Sequence, residues 1–241
     1  MKNLFFTVLA VFAFQMTNAQ WFGGKKVTGN GNVVTQNFKT SDYEGVKVAG
    51  SMDVELISGK EGDILVEAES NVMEYLEIEV KGNRLEIGLK NDINFNTRKG
   101  IKIYVPVEQI DEVSLAGSGD IYSNLTLKSE RMTISVAGSG DIKLKSESKR
   151  LKLNVAGSGD LKMSGRTENL EASVAGSGDI SAYDLKANNV KASIAGSGDV
   201  AVFCNGGTMT ASIVGSGDLR YKGETSNIKK TVMGSGDITK M

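Results

Sequence analysis

The sequence predicts an all-β protein: a parallel β-helix or solenoid with about 19–21 residues per coil, preceded by an irregular β part that contains a hairpin. Three observations carry this. First, the tetrapeptide Gly-Ser-Gly-Asp occurs seven times, with its aspartates at Asp120, Asp141, Asp160, Asp179, Asp199, Asp218 and Asp237. Their steps of 21, 19, 19, 20, 19 and 19 residues assign one structural unit to each copy. Second, the apolar residues of each unit alternate with polar ones. Third, no stretch of a unit has helical apolar spacing, and nineteen residues are too few for a strand-helix-strand crossover.

The alternation is clearest after Met132. Met132, Ile134, Val136, Gly138, Gly140, Ile142 and Leu144 share one side, and Thr133, Ser135, Ala137, Ser139, Asp141, Lys143 and Lys145 the other. Period two with one apolar face is a half-buried strand. The same columns return in later units. Val136, Val155, Val174, Ile194 and Ile213 lie two residues before the first glycine, and Ile142, Leu161, Ile180, Val200 and Leu219 directly follow the aspartate. Stacked coils seal such a face against one another. The two inward-facing glycines of each copy then mark a sharp corner where a side chain would collide with the interior.

The stretch from Val27 to Val113 is β-rich but less regular. Ala49-Gly50-Ser51-Met52-Asp53 is a degenerate copy of the motif, followed by the strand Val54 to Ile57. Leu76 to Val80 and Leu85 to Leu89 flank Lys81-Gly82-Asn83-Arg84, an antiparallel hairpin with Gly-Asn in its turn. Asn71 to Tyr75 suits a short helical turn. Pro106, the single proline, is expected to stop the strand Ile101 to Val105 at an end or edge. The organisation read from these features is a leader at 1–19, a β cap with the first irregular coils at 20–113, and regular coils of the same domain at 114–241.

The leader has the form of a secretory signal peptide. Lys2 is its positive residue, Leu4 to Phe14 its apolar run, and Thr17-Asn18-Ala19 its small-residue cleavage site. Eleven apolar residues are too few to span a bilayer core, which takes about 20. The expected location is therefore exported, whether periplasmic, cell-surface or secreted, with no transmembrane segment after cleavage. Cys204 is the single cysteine, so no internal disulfide forms, and a buried thiol is the expectation. The chain has no histidine to serve as a base for a nucleophilic cysteine. A net charge of -1 with both signs interspersed offers no basic stripe for nucleic acid.

"VKVAGSMDVEL" at 46–56, "LEIEVKGNRLEIGL" at 76–89, "IKIYVPV" at 101–107 and the serial "AGSGDI" copies resemble the family named putative auto-transporter adhesin, head GIN domain. The resemblance covers nearly the whole chain after the leader. It implies a secreted or envelope-associated β-solenoid of Gram-negative bacteria, with neither an established ligand nor a reaction. A chain of 241 residues leaves no room for a membrane translocator barrel, so the transporter half of that name is not expected to apply.

Stacking places Asp53, Asp120, Asp141, Asp160, Asp179, Asp199, Asp218 and Asp237 in one column. Carboxylates about 4.8 Å apart repel by roughly 0.9 kcal/mol in water and about 3.5 kcal/mol at an effective dielectric of 20. They must be solvated, hydrogen-bonded or neutralised. The preferred reading is structural, each carboxylate accepting backbone N–H groups freed at the glycine corner as in Asx turns. Calcium between coils is the competing reading, but calcium β-rolls repeat every nine residues with a different glycine pattern. Phosphate loops open a helix, and here a strand follows each copy. No catalytic residue, metal ligand or cofactor is assigned.

The function expected is therefore an exported, non-enzymatic adhesin-like binding module with an extracellular or envelope partner, a glycan among the candidates. The alternative is a carbohydrate-binding or carbohydrate-active, pectinase-like β-helix, which needs a unique carboxylate pair or basic residue in a groove. Seven equivalent carboxylates provide no unique pair. Tyr122, Tyr183 and Tyr221 are sparse for a sugar platform and are expected at solvent-facing or corner positions. At the C-terminal end, Val232, Met233 and Ile238 fall on an exposed edge with Lys229, Lys230 and Lys240. Such an edge either self-associates or is kept apart by its lysines.

Overall fold

The computed structural model describes residues 25–90 and 93–241, so the leader expected at 1–19 lies outside the described residues. In chain order the strands begin with β1 (Lys25–Thr28), β2 (Val33–Lys39), β3 (Gly45–Gly50), β4 (Asp53–Ser58) and β5 (Asp63–Glu69). A 3-10 turn at Met73–Tyr75 leads into β6 (Leu76–Lys81), β7 (Arg84–Leu89), β8 (Ile93–Asn96), β9 (Lys102–Val107) and β10 (Glu112–Gly117). The long strands β11 (Ile121–Gly138), β12 (Ile142–Gly157), β13 (Leu161–Gly176) and β14 (Ile180–Gly196) follow, each a whole coil between two corners. The last are β15 (Val200–Asn205), β16 (Thr208–Gly215), β17 (Leu219–Glu224), β18 (Asn227–Gly234) and β19 (Ile238–Lys240).

The architecture is a β-solenoid of about 7 turns. Coil stacks on coil in parallel register: Ile142 pairs with Leu161, Leu151 with Leu170 and Gly157 with Gly176. This register is 19 residues, the commonest step of the motif. Where a step is longer, the extra residues leave as bulges on the segment after the aspartate, between Tyr122 and Thr126 of β11 and between Ser181 and Asp184 of β14. The corner itself keeps its alignment, because a one-residue slip would turn every apolar side chain outward. The inward columns are buried throughout the coils, Val136, Val155, Val174, Ile194 and Ile213 among them. Each such side chain contributes about 1.5–3 kcal/mol by leaving water.

The N-terminal part does not stack in chain order. β3 pairs with β7 on one side and β10 on the other, and β4 likewise pairs with β9 and with β11. Residues 84–107 therefore lie outside the coil that precedes them, and the chain returns past that coil before the regular stack begins. Beyond this outer layer the pairing turns antiparallel, with β6 on β7, β5 on β9 and β2 on β5. The expected hairpin is present, with Leu76 opposite Leu89 and both turn residues at positive φ, Gly82 at 54° and Asn83 at 61°. Two such residues make the turn whose twist matches the strands.

Pro106 does not stop its strand as expected, but it does lie near the strand end at a position that β5 leaves unpaired. β9 continues through it to Val107, because β5 pairs with β9 at residues 102–104 and leaves the ladder before the proline. β4 runs beside it on the other side, with Ile57 opposite Pro106. The Pro106 carbonyl accepts a bond of 2.5 Å from the buried Tyr43 hydroxyl. Burial, then the charge of Glu61, raises the pKa of that tyrosine.

Candidate functional site

Each Gly-Ser-Gly-Asp copy is a corner whose polar groups are consumed by the adjacent coils. In the copy at 157–160, Gly157 has φ +124°, a conformation open to glycine. A Cβ on Gly159 would lie 2.1 Å from the Gly140 carbonyl oxygen. The obstacle is thus the backbone of the neighbouring coil, not the interior that the sequence reading invoked. Met52 replaces the second glycine in the degenerate copy and is fully buried there. On its outer side lie residues 84–107, which form no such corner, so the glycine is not required.

The N–H groups of Ser158 and Gly159 both donate to the Gly138 carbonyl, at 2.8 and 3.0 Å. The Asp160 N–H donates to Oδ1 of Asp141 at 2.8 Å, and the Leu161 N–H to the Asp179 carbonyl at 2.9 Å. The same bond runs through the whole column. Asp120, Asp141, Asp160, Asp179, Asp199, Asp218 and Asp237 each donate their N–H to Oδ1 of the aspartate one coil earlier, beginning at Asp53, over 2.7 to 3.3 Å. All eight residues stand in one line. The acceptor relation differs from the local Asx turn expected from sequence, since donor and acceptor belong to different coils.

One oxygen of each ladder carboxylate from Asp53 to Asp218 is thereby tied to backbone. Arg220 reaches Oδ2 of Asp199 at 3.4 Å and of Asp218 at 3.3 Å, so one guanidinium neutralises two coils. Earlier in the column a shallow groove of about 460 Å³ is lined by Asp120, Asp141, Asp160 and Asp179, with Lys143 and Lys162 beside them. The charges interleave there. Among the described residues no group of three or more Asp, Glu, Cys or His side chains is arranged to hold a metal ion.

The tyrosines split. Tyr122 is exposed and donates to Glu55 at 2.9 Å, which raises its pKa. Tyr183 is half-buried, with the Lys222 ammonium 4.6 Å from its ring centroid. Tyr221 departs from the expected solvent-facing position: it follows Val202 in an inward column and is buried. Cys204 lies in the interior with Sγ 3.4 Å from the Asn188 carbonyl oxygen, and burial pushes its thiol pKa up. Sequence reasoning missed Glu69, a fully buried carboxylate that accepts the N–H of Gly31 at 2.5 Å and of Arg98 at 2.9 Å. It looks like an ordinary outward strand residue until the loops at 29–31 and 97–98 close over it.

Two further grooves flank the strands that precede the corners. One, of about 660 Å³, is floored by Gly88, Ala49, Ala116 and Ala137 and walled by Glu77, Glu79, Glu86, Lys81 and Lys47. The other, of about 500 Å³, runs across five coils between the columns of Arg131 and Thr133. No helix among the described residues is long and apolar enough to cross a membrane.

Residues 42–225 match the family described as "Putative auto-transporter adhesin, head GIN domain". The chain belongs to this family. Solved structures share its fold. A putative adhesin from Bacteroides fragilis superposes with a TM-score of 0.83 at 21% identity, covering 89% of this chain and 100% of its own. A putative adhesin from Parabacteroides merdae gives 0.73 at 23%, covering 90% and 99%. A protein of Parabacteroides distasonis described as a putative lipid binding protein gives 0.75 at 32%, covering 90% and 100%. No curated protein matches the chain.

Proposed function

We propose that this family member is an exported, non-enzymatic binding module that presents columns of repeated side chains to a partner at the cell envelope or outside it. The observation that carries the reading is the aspartate ladder. An oxygen of every carboxylate from Asp53 to Asp218 is engaged by the next coil, so the most repeated chemical group of the chain serves the stack. A catalytic centre is a single constellation with tuned acid and base, and the corners repeat one arrangement seven times. Outward columns spaced by the coil rise, about 4.8 Å, suit instead a partner that is itself extended.

The adhesin description of the family and of its solved members supports this class. A glycan array with the purified protein tests it. Selective binding without turnover is the expected outcome, and release of reducing ends or unsaturated sugars would overturn it. A second reading, lipid binding, is favoured by the 32% identical relative of that description and by the groove floored by Gly88, Ala49, Ala116 and Ala137. Its measurement is displacement of a fluorescent fatty acid, with Ala116→Trp expected to block it.

A further inference from the structure

We propose that the trough between the columns of Arg131 and Thr133 is a binding site for an acidic glycan strand, one that carries carboxylate or sulfate groups along its length. The trough is built from five consecutive coils, the last contributing Thr208 and Thr210. Its floor is the backbone of Met132, Leu151, Leu170 and Val190, whose side chains are buried on the other side of the sheet. One wall descends through Arg131, Arg150, Asn169 and Asn189 in consecutive register. The other descends through Thr133, Lys152, Glu171 and Lys191, likewise in register.

Elsewhere on the coils, some charges that meet across a ladder are opposite in sign and pair, while Lys143 opposite Lys162 and Arg166 opposite Lys186 are alike. Lys149 bonds Glu130 and Arg166 bonds Glu147, each at 2.9 Å. In the trough, Arg131 and Arg150 are of the second kind. They stand directly opposite each other in adjacent coils, an arrangement that costs stability for like charges. Among the described residues neither they nor Lys152 forms an ion pair, and the one carboxylate of the trough, Glu171, is held by Lys191. Four cations thus face one carboxylate in a protein whose net charge is -1. An anion lying along the trough relieves the repulsion and gains the forked donors of two guanidinium groups.

The remaining lining selects among polyanions. Thr133 and Thr210 supply hydroxyl groups of the kind that pair with sugar hydroxyls, beside a chain of bonds in which Thr208 donates to Asn189, Asn189 to Asn169 and Asn169 to the Lys149 carbonyl. No aromatic ring lines the trough to stack a nucleobase. No exposed large apolar side chain lies along it to enter a membrane surface. The direction fits as well, since the donors repeat along the stack at the coil rise of about 4.8 Å and would follow an extended chain.

This assignment rests on the binding-module reading, and the experiment separates the two. Titration of the purified protein with heparin, polygalacturonate and neutral dextran is expected to show binding of one or both acidic polymers and none of dextran. Arg131→Ala/Arg150→Ala should weaken that binding about tenfold or more, and raising salt from about 50 to 200 mM should weaken it in the native protein. Lys143→Ala/Lys162→Ala, on the aspartate side, should stay within about twofold, showing that the effect is not general charge. Both arginines are exposed and unpaired, so the double variant should keep the native Tm or raise it slightly, and Arg150→Gln is the milder substitute if the Tm falls. An acidic glycan should raise the Tm of the native protein and not of the double variant. Unchanged affinity in Arg131→Ala/Arg150→Ala, an equal loss in the lysine variant, absence of acidic-glycan binding, or tighter binding of duplex DNA through the same arginines would each overturn the site. Dextran binding that survives the arginine changes overturns the site and leaves the binding module standing, whereas cleavage of any polymer overturns the module itself.

Discussion

At the N-terminal end the outermost parallel strands, β7 and β9, are covered by antiparallel β6 on one face and by β5 and β2 on the other. At the C-terminal end β18 and β19 each pair on one side, with β16 and β17. The first end carries fully buried residues such as Leu85, Ile87 and Ile64. The second leaves Val232 and Met233 exposed and Ile228 and Ile238 half-buried. Two of its inward columns close on charge. Ala192 and Ala211 are followed by Lys230, and Val202 and Tyr221 by Lys240. Lys230 donates to the Ile238 carbonyl at 2.9 Å and lies 5.3 Å from the Tyr221 ring centroid, while Lys240 bonds Glu224 at 2.9 Å. A stack can therefore end under a folded cap or under two lysines that occupy core positions. The first adds buried area; the second makes the edge unattractive to another sheet.

The largest test compares an internal corner with the last one. Gly159→Ala drives a Cβ into the Gly140 carbonyl, between coils that cannot part, and should cost about 4–5 kcal/mol or the folded form itself. Gly236→Ala meets the Gly217 carbonyl at a nominal 2.0 Å, but the last coil can lift away from it. Urea unfolding should show the second variant far less damaged. Equal losses would mean that the terminal coil is as firmly held as the middle.

The caps themselves come next. Leu85→Ala removes a fully buried side chain beneath β6 and should cost about 2–5 kcal/mol, whereas Ile228→Ala should cost about 1 kcal/mol or less. A similar loss at both sites, measured by thermal and urea denaturation, would show that the lysine-covered end seals its interior as well as the folded cap does.

The aspartate ladder gives a smaller, graded effect. Asp160→Ala strips the Asp179 N–H of its acceptor and should cost about 1–3 kcal/mol, and Asp160→Asn less, because an amide oxygen can still accept. Asp237 donates its own N–H to Asp218, and among the described residues no N–H is donated to its carboxylate. Asp237→Ala should be neutral within about 0.5 kcal/mol. EDTA should leave the Tm of all three variants and of the parent unchanged. A chelator-dependent drop in the parent would show that cations, and not backbone donors, hold the column.

The smallest effect on stability carries the largest change in association. Lys230→Leu/Lys240→Leu turns the end of the core columns apolar and should let copies meet end to end, read as a concentration-dependent sedimentation coefficient in the micromolar range. The native chain should sediment as a monomer there. Association of both proteins alike would show that the edge pairs despite its lysines.

The seven-fold motif, its 19-residue step and the period-two alternation determined the coil, its inward columns and the aspartate line, because these are local regularities that stacking merely repeats. The β6 to β7 hairpin was legible for the same reason, its turn chemistry being local to Gly82 and Asn83. Tertiary structure alone decided the order of the first coils, since nothing in residues 84–107 states that they must lie outside the coil of β3 and β4. It decided that Asp160 accepts from Asp179 and not from its own corner, that Glu69 is buried, and that Tyr221 turns inward. It also brought Arg131 against Arg150, nineteen positions apart in the chain and adjacent in the ladder. Sequence periodicity specifies which face a residue takes; which side chains then meet depends on the register between coils, and that register exists only once the stack has formed.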